Sequence, residues 1–128
     1  MNPGLAQLTA RALCEMTNHD LTLRVFGFHH VRNKLAKQTM PCRKAHPGLT
    51  ARICEAVNLA ACFYFKPVRC LQKSVVTARL LRKCGIDGRV VIGYRQAPFF
   101  SHAWVEVDGR VVNDSPAYKE QLLVLSVL

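Results

Sequence analysis

Acidic residues are scarce in this chain of 128 residues, which has 8 Asp and Glu against 18 Lys and Arg and a formal net charge of +10. Two long segments, residues 21–54 and 56–86, contain no acid at all. A surface this basic attracts anionic partners and speeds their encounter with the protein. Nucleic acid, an acidic protein and an acidic peptide all meet that condition, so charge alone does not select the partner.

Long apolar runs are also missing. No stretch approaches the ~18 uninterrupted apolar residues of a transmembrane helix, so we expect no membrane span. The start, MNPGLAQLTARALCEM, lacks the basic residues and apolar run of a signal peptide. Six cysteines are present, but Cys14, Cys54 and Cys62 lie in helix-like apolar surroundings, where reduced cysteine acts as a small hydrophobe. The sequence therefore predicts a reducing, cytoplasmic location without a disulfide framework.

Internal repeats and low-complexity segments are absent, and half of the residues are apolar. A chain of this length buries enough surface for a hydrophobic core of its own. We therefore predict a single domain over residues 1–128, with a helical part at 1–66 and a further helix plus a sheet at 67–128. Helices first and strands second is the order of the α+β class with a small antiparallel sheet.

Apolar periodicity and capping residues predict four helices. They cover residues 4–17, residues 19–37 with Asn18 or Asp20 as N-cap, residues 49–65 with Thr50 as a possible cap, and a last helix from Pro67 to about Lys83. Pro67 suits the first helical position, and the glycine in KCGIDG predicts the end of that helix. The segment MPCRKAHPG, with two prolines and a glycine, is a connection.

Strand-like segments rich in Val, Ile and aromatic residues follow at 89–95, 100–107 and 110–114. The dipeptide Asp108-Gly109 between the last two predicts a hairpin. The tail QLLVLSVL is too short to span a membrane and is predicted to be a strand or a docking segment.

Cys70 differs from the other cysteines because it lies in the first turn of the last predicted helix, between Arg69 and Lys73. A thiol attacks as the thiolate, which helix N-termini and neighbouring cations stabilise. Catalysis also needs a base within reach and a third group that orients the base. Cys70 is therefore a candidate nucleophile that requires two partners elsewhere in the chain.

His102 is the candidate base, since it lies in a strand pattern two residues before Trp104. The four other histidines, His19, His29, His30 and His46, belong to the helical half and its connection and are expected to be solvated surface residues. Asp114 ends the next strand and is the candidate orienting group. Trp104 shares a face with His102 in this pattern, where it either shields the pair from water or, as we favour, belongs to the core.

The hairpin register decides whether His102 meets Asp114. A two-residue loop at 108–109 places Ser115 opposite His102 and turns Asp114 to the other face. A three-residue loop at 107–109, with glycine in the left-handed conformation, places Asp114 opposite His102. That register also pairs Glu106 with Arg110 and Val105 with Val111, so we predict the three-residue, bulged hairpin.

Each residue also has a plainer interpretation, since a lone helical cysteine or strand histidine is most often structural. The ordered set of helix-start Cys, strand His and next-strand Asp is much rarer by accident. Cys42 and His46 have ligand-like spacing, but no second pair follows, so we predict no metal and no cofactor. A non-enzymatic nucleic-acid-binding domain is supported by charge alone, because no nucleic-acid-reading motif is present.

The motifs CLQKSVVTARLLRKCGI and IGYRQAPFFSHAWVEVDGRVVND resemble the transglutaminase-like cysteine peptidases that process lasso peptides in bacteria. The resemblance covers about residues 67–116. It implies a transglutaminase-like, papain-like peptidase core with Cys70 as nucleophile, His102 as general base and Asp114 as its orienting partner. The implied reaction is removal of the leader from a ribosomally made precursor, whose core is then cyclised by an ATP-dependent enzyme. A transglutaminase or arylamine acyltransferase that uses the same triad is the alternative.

We expect no fused winged-helix-like leader-binding domain before the motifs, so the resemblance implies the stand-alone peptidase form acting with a separate leader-binding protein. The basic residues Arg32, Lys34 and Lys37 are candidates for docking that protein or the leader. The Cys70 backbone N–H is the expected oxyanion donor, and Gln72, though near in sequence, is expected to point elsewhere on the helix.

Overall fold

The computed structural model describes residues 4–37, 47–96, 98–114 and 117–128. Its elements are α1 (Leu5–Phe26), α2 (Phe28–Lys37), α3 (Pro47–Phe63), α4 (Cys70–Lys83), β1 (Gly88–Gln96), β2 (Phe99–Val107), β3 (Arg110–Val111), α5 (Ala117–Gln121) and β4 (Leu123–Val127). Long helices come first and strands follow, which confirms the predicted α+β class. None of the helices in this part of the chain is both long enough and apolar enough to cross a membrane.

The first helix is longer than the sequence predicts. We expected a break near residues 17–19, with Asn18 or Asp20 capping a second helix, but α1 continues without interruption to Phe26. That prediction is wrong because Asn and Asp are only mildly unfavourable inside a helix, and no glycine or proline stands there to end it. The chain leaves α1 at Gly27, whose φ of 83° is a conformation that favours glycine.

Two helix starts also differ from the prediction. α3 begins at Pro47, so Thr50 lies inside the helix and does not cap it. α4 begins at Cys70 and not at Pro67, because Arg69 is still extended, with φ −81° and ψ 162°. The fixed φ of proline suits an extended segment as well as a first helical turn, and here the extended segment is formed. The Arg69 carbonyl accepts the first helical hydrogen bond, so Cys70 is itself the first residue of α4.

The end of α4 agrees with the glycine signal. Gly85 has a φ of 86°, and its N–H donates to the Arg82 carbonyl over 3.1 Å. The Ile86 N–H donates to the Leu81 carbonyl over 2.8 Å, which completes a Schellman motif. The chain then enters β1 at Gly88, where a Cβ atom would lie 2.7 Å from Leu81 Cδ1. Glycine at this position lets helix and strand approach closely.

The four strands form one antiparallel sheet in the order β3-β2-β1-β4. β1 pairs with β2 over their whole length, from Gly88 opposite Val107 to Gln96 opposite Phe99. β4 pairs with the other edge of β1, which confirms the strand interpretation of the C-terminal tail. The short helix α5, which leads into β4, has no counterpart among the predicted elements.

The hairpin between β2 and β3 has a two-residue loop, so the predicted bulged hairpin is wrong. Val107 pairs with Arg110, and Glu106 pairs with Val111. Both loop residues have positive φ, 51° at Asp108 and 77° at Gly109, as a type I′ turn requires. Aspartate tolerates the left-handed conformation well enough to occupy the first loop position, which removes the need for a third loop residue.

The core lies between the helices and one face of the sheet. Alternate residues of β1 and β2, including Val90 and Val105, join apolar residues of α1, α3 and α4 in this cluster. The opposite face carries a smaller cluster of Val91, Trp104 and Leu122. The two faces of β2 therefore pack against different clusters. A side chain on one face is separated by the sheet from the groups that pack on the other face.

A buried carboxylate ties α1 to α4. Glu15 contacts Arg79 at 2.7 Å and Lys83 at 2.5 Å. Burial raises the pKa of Glu15, but the hydrogen bonds and charges of Lys83 and Arg79 oppose it, and the net pKa lies below the ordinary value of 4.5. Because the folded pKa is depressed, this carboxylate stabilises the fold above its unfolded pKa and less so as the pH falls below it.

Substituting Glu15→Gln is expected to lower the free energy of unfolding at pH 7 by about 2 kcal/mol. This loss lies between those typical of exposed and of buried ion pairs, because Lys83 is half exposed. The difference from the wild type should shrink as the pH falls below the ordinary glutamate pKa and through the depressed pKa of Glu15, where the wild-type carboxylate takes up a proton. Denaturant unfolding at several pH values measures this. Glu55→Gln, an exposed change on α3, is the matched control, and an equal loss there would contradict the assignment.

Candidate active site

His102 and Asp114 lie in direct contact. Their Nε2 and Oδ2 atoms are 2.6 Å apart, and the side chains are 14% and 34% exposed. Because Nε2 faces the carboxylate, the ring donates its Nε2–H there, which makes Nδ1 the nitrogen that accepts a proton. This is the arrangement in which a carboxylate holds an imidazole for general-base work.

The contact between His102 and Asp114 forms although the hairpin has a two-residue loop, the register that was predicted to turn Asp114 away. A two-residue loop turns Asp114 away only if β3 continues as a regular strand, and β3 ends at Val111. The next residue still donates its N–H to the Val105 carbonyl over 3.0 Å. The side-chain oxygen of Asn113 then accepts the Val105 N–H at 2.7 Å. Because the chain departs from regular strand pairing in this way, the Asp114 side chain can turn toward His102.

His102 shares its sheet face with aromatic neighbours. Its ring is stacked with Phe100 at a centroid distance of 6.1 Å and with Trp104 at 6.4 Å. Trp104 is fully buried and packs with Leu122, whereas Val105 packs on the opposite face with the helices. Trp104 is therefore a core residue, as favoured from the sequence. Because α4 packs on the face that carries Val105, a group of α4 reaches His102 only around an edge of the sheet.

Gly93, directly opposite His102 in the sheet, leaves room for Trp104. A Cβ atom there would lie 2.6 Å from Trp104 Cη2 and 3.0 Å from Leu122 Cβ. Gly93→Ala is therefore expected to lower the free energy of unfolding by about 1–3 kcal/mol, the usual loss from overpacking. Thermal unfolding measures it. Gly4→Ser, which adds a side chain in open space at a helix N-cap, should not destabilise, and an unchanged Tm for Gly93→Ala would contradict the close packing.

Cys70 is half-buried at the first residue of α4. Its backbone N–H is one of the groups at a helix start that have no partner within the helix. Arg69 precedes it and Lys73 follows one turn on, as the sequence indicates. The packing of α4 on β1 and β2 brings this helix to the sheet that carries His102. The contact between the Cys70 sulfur and the His102 ring stays a prediction.

The other described cysteines lie elsewhere in the fold. Cys54 is buried, and burial raises the pKa of its thiol to about 11. Burial also raises the pKa of Cys84. Cys14 and Cys62 are exposed, so the prediction that they act as small buried hydrophobes is wrong for these two, although it holds for Cys54. All five described cysteines are unpaired thiols.

A surface groove of about 520 Å³ adjoins the start of α4. Arg69 and Leu71, the two neighbours of Cys70, line one side, and Asp20 and Lys66, an ion pair of 2.9 Å, line another. Gln72 also borders the groove, but its Nε2 donates to the Met16 carbonyl of α1 over 3.1 Å. Gln72 therefore anchors α4 to α1, as expected for a residue that points away from the nucleophile.

Sequence reasoning missed His19, which was expected on the surface. It is 7% exposed, and burial lowers the pKa of its ring. Its spacing of seven and three residues from Ala12 and Met16, both buried in α1, was the available signal. His29 and His30 are exposed, as predicted.

Some of the predicted features concern residues outside the described ranges. Cys42 and His46, considered as metal ligands, lie in the gap between 37 and 47. Within the described ranges no three His, Cys, Asp or Glu side chains gather where they could hold a metal ion. Arg32, Lys34 and Lys37 lie on α2, and their role in docking stays a prediction.

Comparison with known proteins places this geometry in context. A family profile described as the Transglutaminase-like superfamily matches residues 13–127. The chain is also 40% identical over 74 residues to the microcin J25-processing protein McjB of Escherichia coli. That match covers 56% of this chain and 36% of McjB, so the chain spans about a third of its relative's length. No solved structure matches the chain at a comparable level of significance.

Proposed function

The chain belongs to the transglutaminase-like superfamily, and from that premise we propose that it is a cysteine peptidase that removes the leader from a lasso-peptide precursor. Cys70 is the nucleophile, His102 the general base and Asp114 the group that orients it. The observation that carries the proposal is the His102–Asp114 contact of 2.6 Å, at the edge of a sheet packed against the helix that begins with Cys70. The similarity to McjB, which processes the lasso peptide microcin J25, supports the substrate class.

The reaction follows the general scheme of acyl transfer through a thioester. His102 accepts the Cys70 proton at Nδ1 while Asp114 holds Nε2–H, and the sulfur attacks the carbonyl carbon of the last leader residue. The Cys70 backbone N–H donates to the oxyanion that forms. His102 then protonates the departing amine of the core peptide as the C–N bond breaks. Water, deprotonated by the same ring, hydrolyses the thioester and releases the leader with a free carboxylate.

The groove beside α4 is the proposed binding place for the peptide next to the cleaved bond. Its lining includes Arg69 and Leu71, the residues before and after Cys70 in the sequence, and combines apolar with charged side chains. A separate leader-binding protein delivers the precursor, and an ATP-dependent cyclase acts on the released core. The basic residues of α2, among them Arg32, Lys34 and Lys37, are the proposed contact for the delivering protein or the leader.

Incubation of the protein with a lasso-peptide precursor, with and without a leader-binding protein, tests the function. Mass spectrometry should find two fragments whose summed mass exceeds the precursor by one water. A precursor that stays intact under both conditions, although the protein is folded by circular dichroism, would contradict the proposal.

Acyl transfer to an amine is the second candidate, because the superfamily profile that matches this chain is named for transglutaminases. The same thioester would then be attacked by an amine in place of water. Adding a small primary amine to the cleavage reaction distinguishes the two activities. A leader that carries the amine at its new C-terminus, in preference to the free carboxylate, favours the transferase.

A further inference from the structure

The side chain of Asn113 joins two elements that carry the candidate active site. Its Oδ1 accepts the backbone N–H of Val105 in β2 at 2.7 Å, and its Nδ2 donates to Ser74 Oγ in α4 at 3.4 Å. Both the oxygen and the nitrogen of the Asn113 amide are therefore hydrogen-bonded. The next residue, Asp114, contacts His102 on the other face of the sheet.

Ser74 lies one helical turn after Cys70 and is completely buried. A buried hydroxyl needs hydrogen-bond partners, and Asn113 is one of them. The contact therefore connects the hairpin to the first turns of the helix that begins with the proposed nucleophile.

This connection lies just past the end of β3, where the Val112 N–H still donates to the Val105 carbonyl and the Asn113 side chain accepts the Val105 N–H in place of a backbone carbonyl. β3 ends at Val111, while His102 and the α4 side of β2 face opposite ways. The proposed nucleophile and base must therefore meet around the edge of β2, and their separation depends on what holds α4 to the hairpin there. At this edge the amide of Asn113 bonds to β2 on one side and to α4 on the other.

We propose that Asn113 is a positioning residue, which holds the Cys70 end of α4 in register with the His102–Asp114 pair. This role rests on the peptidase function proposed above. Asn113 acts through Ser74 and Val105 and does not itself touch substrate. A displacement of about 1 Å in such an arrangement can slow a reaction about 100-fold.

The test compares Asn113→Ala, Ser74→Ala and the double variant. Precursor cleavage should fall about 100-fold in Asn113→Ala. We expect a loss of about 10-fold in Ser74→Ala, because the contact removed is long for a hydrogen bond. The double variant should be no slower than Asn113→Ala, since both changes remove the same link. Losses that multiply in the double variant would overturn the proposal.

A second readout separates positioning from loss of stability. Iodoacetamide modifies thiolates, and peptide mapping by mass spectrometry follows Cys70 apart from the exposed Cys14 and Cys62. If Asn113 positions the pair, the rate of Cys70 alkylation at pH 7 should fall in Asn113→Ala, because the displaced imidazole no longer assists formation of the thiolate. Ile53→Val, a truncation in the buried part of α3, should lower Tm without changing that rate. A Cys70 alkylation rate that is the same in the wild type and Asn113→Ala would overturn the role.

The outcomes also distinguish this role from the function on which it rests. If His102→Ala leaves the rate of Cys70 alkylation at pH 7 unchanged, the proposed nucleophile–base pair fails. If His102→Ala lowers that rate and Asn113→Ala does not, the positioning role alone fails. Should Asn113→Ala not fold, Ser74→Ala carries the test, because it leaves the contact with Val105 in place.

Discussion

Leader cleavage is expected to be lost when Cys70 is replaced with alanine. Removing the nucleophile of a comparable triad lowers kcat about 10⁶-fold, which places the remaining activity below detection in a mass-spectrometric assay. The fold should be retained, because Cys70 is only half-buried at a helix terminus. The measurement is the yield of leader fragment over time, alongside thermal unfolding of the same preparation.

The chain supplies its own matched controls for this experiment. Cys62→Ala makes the same chemical change at an exposed position on α3, and Cys54→Ala makes it at a buried thiol whose pKa burial raises to about 11. Both variants should cleave at the wild-type rate when they are folded. Cleavage by Cys70→Ala, or its loss in Cys62→Ala, would show that the nucleophile has been assigned wrongly.

Much of the fold could be predicted because local signals and packing agree. The glycine that ends α4 and the β-branched and aromatic residues of β2 each favour one local conformation, and both conformations are found in the structure. Helix boundaries were harder to predict from the sequence. Asn18 and Asp20 are good caps in isolation, but α1 continues through them because its buried stripe extends from Met16 to Thr22. Burial along a whole helix outweighs a capping preference at two positions.

The hairpin shows why the site could be predicted in part only. The sequence indicated that His102 and Asp114 should meet, and they do. The predicted path of the chain between them, a bulged loop followed by a regular strand, is wrong. Pairing rules count residues along continuing strands, and they do not anticipate that the side chain of Asn113 replaces a backbone partner for Val105. The same rules give no information on how a helix start is placed relative to a sheet edge.

The second large effect is expected from Asp114→Asn, which should lower kcat about 10⁴-fold, as the corresponding change does in a serine protease triad. An asparagine amide can donate to Nε2, which moves the ring proton to Nδ1 and deprives His102 of the nitrogen that accepts the Cys70 proton. Size and shape are almost unchanged, so the fold should persist. Single-turnover cleavage by each variant, with substrate binding measured separately, isolates the chemical step.

Asp108→Asn is the matched control for this change, since it alters an acid to its amide in the same hairpin, at a turn position with φ 51° that asparagine adopts readily. It should leave cleavage unchanged. If Asp114→Asn cleaves as fast as Asp108→Asn, the carboxylate does not orient His102, and the 2.6 Å contact is structural. If only Asp114→Asn loses cleavage while both variants have the wild-type Tm, the loss of cleavage arises from the protonation state of the His102 imidazole. The strand-to-bend transition at Val111 is then a requirement of catalysis, because it brings that carboxylate to the ring.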